Sequence, residues 1–283
     1  MNQADVEPSV VVTIAGTDPS GGAGINVDLQ VCRDWGIHGM AAITAVVWQN
    51  TQRVYGWRAM KPGELDAQLA AIGADVEPSA IKIGMLPTVD QRRVVRQWLA
   101  AMEPRPPVIL DPVMTEGTGD RALTADENRP GWEALVEVVD LVTPNAMEAK
   151  ILADVEPSVP PEGLISALLE AGWRRVLLKG GHLDDGGDAV VDWFGGPDGI
   201  IPLRSMPRLE VDCRGTGCQL STAIACAMAS EQGNTPRWVD GIERSRAYLH
   251  DLLHHRCQTV GKGRQIVVRT IDQMQHRGFD IVQ

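Results

Sequence analysis

The sequence predicts an α/β fold: a mostly parallel central sheet with helices on both faces and a small antiparallel hairpin. Three observations carry that expectation. Short β-branched apolar runs alternate with segments of helical spacing along most of the chain. Glycine-rich or polar loops follow several of those runs, as they do where parallel strands give way to helices. One late segment breaks the alternation, with two apolar runs around Gly195, Gly196, Pro197, Asp198 and Gly199.

In chain order, "SVVVTIAG" is a buried strand ended by glycine. "GAGINVDLQVCRDWG" places Ile25, Leu29 and Cys32 at helical spacing and closes at Gly36. "AAITAVVWQN" reads as another buried strand, "GELDAQLAAIG" as a helix and "SAIKIGML" as a strand. "VDQRRVVRQWLAAM" is an amphipathic helix, and "PPVILDPV" a strand ending in Asp111. "VDLVTPN", "PEGLISALLEAGW" and "RRVLLKGG" continue the alternation. "DAVVDWFGGPDGIIPLRS" supplies the hairpin, and "GCQLSTAIACAMA" and "RWVDGIERSRAYLHDLLHH" are helices. No linker divides the chain, so residues 1–283 are expected to form a single domain.

With 44% hydrophobic and 22% charged residues the chain can bury a substantial core. A net charge of −11 argues against a broad nucleic-acid surface, yet leaves room for a small anion held by backbone amides. The five cysteines form no CxxC pair, and their odd number argues against a disulfide framework. The opening "MNQADVEPSVVV" lacks the regions of a signal peptide, and no apolar run approaches the ~18 residues of a membrane span. The expectation is a reduced, cytoplasmic protein without membrane partners. The hexapeptide "ADVEPS" begins at Ala4, Ala74 and Ala153; the spacing is no repeat period, and each copy reads as a turn without chemistry.

Four segments carry candidate chemistry. "AGTDPSGGAG" has four glycines in ten residues after a strand, which allows close backbone approach to a ligand or serves only as a turn; it lacks the lysine of a Walker A loop. In "RGTGCQLS" the amides of residues 215 to 218 open a helix and can form an anion hole. The helix dipole is expected to lower the pKa of Cys218 and favour thiolate; the alternative is an inert buried thiol. In "TPNAMEAK", Asn145 and Glu148 stand one turn apart, suited either to a hydrated Mg²⁺ beside phosphates or to a helix capping box. In "LLKGGH", Lys179 ends a strand, where it either reaches a phosphate or sits solvated at the sheet rim.

Together these pieces resemble the hydroxymethylpyrimidine/phosphomethylpyrimidine kinase family of thiamine biosynthesis, within the ribokinase-like superfamily. The resemblance is carried by "TIAGTDPSGGAGINVDLQ", "ITAVVWQNT", "IKIGMLP", "VILDPVM", "LVTPNAMEA", "VLLKGGH" and "RGTGCQLSTAIA", in the family's order from about residue 10 to 230. It implies a cytoplasmic kinase that moves the γ-phosphoryl group of ATP, with Mg²⁺, to 4-amino-5-hydroxymethyl-2-methylpyrimidine and then to its monophosphate. By the same resemblance, Gln49 would hydrogen-bond the aminopyrimidine beside Val47, since an amide both donates and accepts. Gly16, Ala23, Met85 and Val113 would line the ring, and Asp28 would lie near the hydroxymethyl end. Asp111 and Glu148 would serve the metal, with Asn145, Lys179 and Thr216 on the nucleotide. Gly215, Gly217 and Cys218 would form the catalytic anion hole, Cys218 standing where many ribokinase-like enzymes have an aspartate base. The expected partners are the pyrimidine, ATP and a second copy of the chain in a homodimer, with no nucleic acid.

The sequence departs from the family at Arg214, where His is frequent, and at Glu116 in "MTEGTGD", where lysine is common; an acid there is expected to weaken the second kinase step. The tail "GKGRQIV" lacks the family's usual histidine. The nearest rival is a pyridoxal or pyridoxine kinase of the same fold, and a second is a non-catalytic pyrimidine-binding regulator. Outside the family, His250 and His254 stand four apart, as a metal pair can, but without the HExxH glutamate.

Overall fold

A computed structural model describes residues 8–115, 123, 131–156, 159–182, 187–231 and 237–269. The first half runs β1 (Val10–Gly16), α1 (Gly24–Asp34), β2 (His38–Gln49), β3 (Val54–Ala59), α2 (Pro62–Gly73), β4 (Ala80–Ile83), α3 (Val89–Ala100) and β5 (Val108–Leu110). The second half runs β6 (Leu141–Val142), α4 (Ala146–Ala153), α5 (Pro161–Glu170), β7 (Val176–Leu178), β8 (Ala189–Val190), β9 (Trp193–Gly196), β10 (Gly199–Pro202) and β11 (Met206–Pro207). It closes with α6 (Thr216–Ala229), α7 (Trp238–Arg256), β12 (Cys257–Gln258) and β13 (Ile266–Val267).

Nine strands form one sheet in the order β10-β9-β7-β6-β5-β4-β1-β2-β3. The six from β7 to β2 are parallel, while β3 and the β9–β10 hairpin pair antiparallel at the two ends. Strand alternation divides the core. Val10, Val12 and Ile14 of β1 pack with Leu65 and Leu69 of α2, Leu99 of α3, Leu152 of α4 and Leu168 of α5. Val11 faces the other way, into a cluster with Val31 and Cys32 of α1, Ile224 and Cys226 of α6 and Ile242 of α7. The layered architecture expected from the sequence is therefore present, with one correction at the edge.

The run "AAITAVVWQN" is not buried throughout. Val46 and Trp48 are exposed, because β2 is followed by an antiparallel partner, β3, that the sequence pattern does not announce. Gly56 interrupts the apolar pattern of β3 for a packing reason: a Cβ there would lie 2.6 Å from the Trp48 indole nitrogen. The small pairs β8–β11 and β12–β13 are also outside the sequence reading. No helix among the described residues is long and apolar enough to cross a membrane. Glu116 lies outside the described residues, as do parts of the first and third "ADVEPS" copies.

Candidate active site

The parallel strands all deliver their carboxyl ends to one rim, where ligands of open α/β sheets bind. The loops after β1, β4, β5, β6 and β7, together with the start of α6, line a single cleft of about 960 Å³. Every site residue that the family resemblance implies lines it, except Asp28.

One end of the cleft is shaped for a flat ring. Gly16, at the close of β1, has no side chain because a Cβ would come within 3.0 Å of the Met85 sulfur and 3.4 Å of Val47. Met85 is fixed by its carbonyl, which accepts from Thr44 Oγ1 at 2.6 Å. Val113 and Ala23 complete the apolar wall, and Gln49 supplies the polar edge. The Gln49 amide is itself engaged: Nε2 donates to the Thr17 carbonyl at 3.3 Å, and Oε1 accepts from Arg214.

The other end is a cradle of donors. Gly215 caps α6 with a φ of +68°, and a Cβ there would lie 2.0 Å from the Gly22 carbonyl oxygen. The two glycine loops are thus in backbone contact. The first amides of α6, from Thr216, Gly217 and Cys218, have no intrahelical acceptor and open toward the cleft. A Cβ on Gly217 would sit 3.2 Å from Lys179 Nζ and 3.3 Å from an Asp111 oxygen, so its glycine keeps the cradle open. Lys179 Nζ pairs with Asp111 at 3.0 Å and with Glu148 at 3.6 Å. Burial by itself would lower the Lys179 pKa, but Asp111 and Glu148 hold the ammonium above its ordinary value. Burial raises Glu148, against the pull of Lys179. Lys179 is therefore a half-buried partner of carboxylates rather than a solvated rim residue.

Asn145 and Glu148 satisfy both alternatives left open by their spacing. They form a reciprocal capping box, Asn145 Oδ1 accepting from the Glu148 amide at 2.9 Å and Glu148 Oε2 from the Asn145 amide at 2.8 Å. They also line the cleft beside Lys179. No group of three or more His, Cys, Asp or Glu side chains suited to a metal exists among the described residues. Two carboxylates next to this cradle of donors would fit a hydrated Mg²⁺, because that ion takes one or two carboxylates and fills its remaining positions with phosphate and water.

Two sequence expectations are corrected. Cys218 lines the cleft at the helix start, but its thiol is pushed up to about 11, above its ordinary value. Burial is the dominant cause and outweighs the lowering from Lys82; Asp111 and Asp28 push the same way as burial. Asp28 does not reach the cleft. It is fully buried beneath it, accepting from Thr13 at 2.5 Å, Lys82 at 2.7 Å and Thr222 at 2.8 Å. His250, which the sequence offered only as half of an incomplete metal motif, faces the Pro207 carbonyl at 3.2 Å, and His254 meets His255 at 3.2 Å.

Lys82 was missed from the sequence. It is fully buried, lines the cleft from below and ion-pairs with Asp28. A lysine inside the buried run "AIKI" was itself a signal, since such a charge persists only when paired.

The family model described as phosphomethylpyrimidine kinase matches residues 18–268 of the chain. The hydroxymethylpyrimidine/phosphomethylpyrimidine kinase of Staphylococcus aureus (strain MSSA476) is 31% identical over 263 residues, covering 92% of each protein. The thiamine biosynthesis multifunctional protein ThiED of Corynebacterium efficiens is 40% identical over 233 residues, 78% of this chain; the match spans 30% of that longer protein. Among solved structures, phosphomethylpyrimidine kinase from Clostridium difficile 630 superposes with a TM-score of 0.69 at 28% identity, covering 86% of this chain and 98% of that one. Pyridoxal kinase from Staphylococcus aureus in complex with pyridoxal shares the fold, with a TM-score of 0.78 at 23% identity over 93% of this chain and 94% of that one.

Proposed function

The chain belongs to the phosphomethylpyrimidine kinase family and is a phosphotransferase, and from that premise we propose that it moves the γ-phosphoryl group of ATP to the hydroxymethyl oxygen of 4-amino-5-hydroxymethyl-2-methylpyrimidine, and then to the resulting monophosphate, for thiamine diphosphate synthesis. The observation that carries the proposal is the two-ended cleft: an apolar slot with one amide edge, joined through Cys218 to a cradle of helix amides and Lys179. In this reading Gly16, Ala23, Val47, Met85 and Val113 hold the ring and Gln49 reads its polar edge. Thr216, Gly217 and Cys218 offer backbone amides to the transferring phosphoryl group, where developing charge is stabilised by donors already in place. Lys179 and Asn145 hold the nucleotide phosphates. Asp111 and Glu148 would hold Mg²⁺, which screens phosphate charge when bound.

Product analysis by mass spectrometry after incubation with Mg-ATP tests the proposal. One or two added phosphates on the pyrimidine support it; phosphorylation of pyridoxal with none on the pyrimidine would replace it with the pyridoxal kinase reading. We further propose that the protein is a cytoplasmic homodimer. Val46, Trp48 and Tyr55, exposed at the β2–β3 edge, support self-association; a monomer in sedimentation would remove that part.

Two smaller effects follow. Gln49→Leu leaves the pyrimidine's polar edge unpaired at a cost of about 1–3 kcal/mol, expected mainly as a raised KM. An unchanged KM for the pyrimidine would remove Gln49 from the pocket's polar edge. Glu148→Gln keeps an acceptor for the Asn145 amide, so the cap persists. It is expected to shift the Mg²⁺ dependence of the rate to higher concentration and to lower kcat. Wild-type titration by Mg²⁺ would leave Glu148 with the capping role alone.

A further inference from the structure

Gln49 reads a ligand edge only if its amide points one way, and the surrounding groups decide which. Arg214 immediately precedes the anion-hole glycine and is nearly buried, with 11% of its side chain exposed. Its Nη2 donates to Gln49 Oε1 at 2.5 Å, and its Nη1 donates to the Asn50 carbonyl. A guanidinium has donors only, so the amide atom facing it must be oxygen. The Thr17 carbonyl, 3.3 Å from the other amide atom, only accepts, so that atom must be nitrogen. Both ends of the amide are therefore assigned by partners that have no alternative role.

The guanidinium is held in turn. Asp18 Oδ2, buried and without a hydrogen-bond partner among the described residues, lies 3.8 Å from Arg214 Nη2. The Arg214 amide donates to the Gln265 carbonyl at 2.9 Å, and the neighbouring Arg264 amide donates to the Thr51 carbonyl at 2.9 Å. The segment between β12 and β13 thus packs the Arg214 corner against the end of β2.

We infer that Arg214 is a specificity-determining positioning residue: by holding Gln49 Oε1 it fixes the order of acceptor and donor that the pocket offers to the ring. This rests on the functional reading above and deepens it. A ligand meets oxygen on the Arg214 side and N–H on the Thr17 side. An exocyclic amino group beside a bare ring nitrogen matches that order. A 4-oxo pyrimidine presents the reverse, an accepting oxygen beside a ring N–H, and would need the amide turned over. Turning it would set the amide nitrogen against the guanidinium, donor against donor.

The test compares the 4-amino pyrimidine with its 4-oxo analogue as substrates, and their binding by calorimetry, in the wild type, Arg214→Met and Arg214→Lys. The wild type is expected to prefer the amino compound strongly. Arg214→Met frees the amide, so the ratio of kcat/KM values is expected to fall about tenfold or more, with KM moving more than kcat and the binding ratio following. Arg214→Lys is expected to fall between, because one ammonium does not reproduce a two-pronged hold; it also carries the test if the methionine variant does not fold. A ratio unmoved in the variants that fold, with both pyrimidines weakened equally, would overturn the inference and leave Arg214 a structural role. Neither pyrimidine binding to or being turned over by the wild type overturns the functional reading itself, and this inference with it.

Discussion

Cys218→Ala is expected to lower kcat by about 10²–10⁴-fold while leaving nucleotide binding near its wild-type strength. The two effects separate because the cradle is made of backbone. The amides of Thr216, Gly217 and Cys218 stay in place when the side chain is cut to a methyl group. What disappears is the sulfur that the proposed function sets beside the reacting hydroxyl. With the thiol pushed up to about 11, only a small thiolate fraction exists near neutral pH, and that fraction grows tenfold per pH unit until about 11. A thiolate base therefore gives a kcat that rises with pH through the neutral range, and the alanine variant is expected to lose that slope. Alkylation at Cys218 is expected to follow the same rise and to be slowed by bound pyrimidine. Full activity in Cys218→Ala, with an unchanged pH profile, would reduce Cys218 to a structural thiol whose amide alone matters. Cys218→Asp restores a base and is expected to recover part of the rate.

Lys82→Met is expected to destabilise the fold by about 3–5 kcal/mol, the cost of leaving one partner of a buried ion pair without the other. Both side chains of the Lys82–Asp28 pair are 0% exposed. Asp28 would keep Thr13 and Thr222 as donors but lose its only charged partner among the described residues. Denaturant unfolding measures this as a lower midpoint at unchanged slope. Combining Lys82→Met with Asp28→Asn removes the stranded charge and is expected to restore much of the loss, whereas additive losses would show that the pair is not the source. The pair also reaches the chemistry. Thr222 stands one turn after Cys218 on α6, so the hydrogen bond from Thr222 to Asp28 ties that helix face to Lys82. The Lys82 ammonium lowers the Cys218 pKa, so its loss is expected to raise the thiol further and slow alkylation at fixed pH.

Periodicity made the parallel strands and most helices legible. In β1 the run "VVVTIA" is buried on both faces, and α1 closes at Gly36, with its positive φ, as the sequence pattern indicated. The strand-end residues Asp111, Asn145 and Lys179 were legible for the same reason, since a parallel sheet gathers its carboxyl ends. β3 was not, because Gly56 answers to the Trp48 ring and breaks the alternation. The burial of Asp28 behind the cleft lining was not legible because its helical face is decided by partners 15, 54 and 194 residues away in sequence. The Cys218 thiolate was expected from a local dipole, whereas burial is a property of the whole packing. The hold of Arg214 on Gln49 joins residues 165 apart, and no local pattern announces it.

The contact of Gly215 on the Gly22 carbonyl has a consequence for how such a site can change over generations. Because the two main chains touch with no side chain between them, the path of one loop is the mould of the other. A chimera that borrows residues 15–24 from a relative, but keeps its own 213–218, joins halves that were never fitted to each other. New ring preferences are then gained most readily by exchanging both loops as a set, or by altering the side chains around them while both backbones stay as they are.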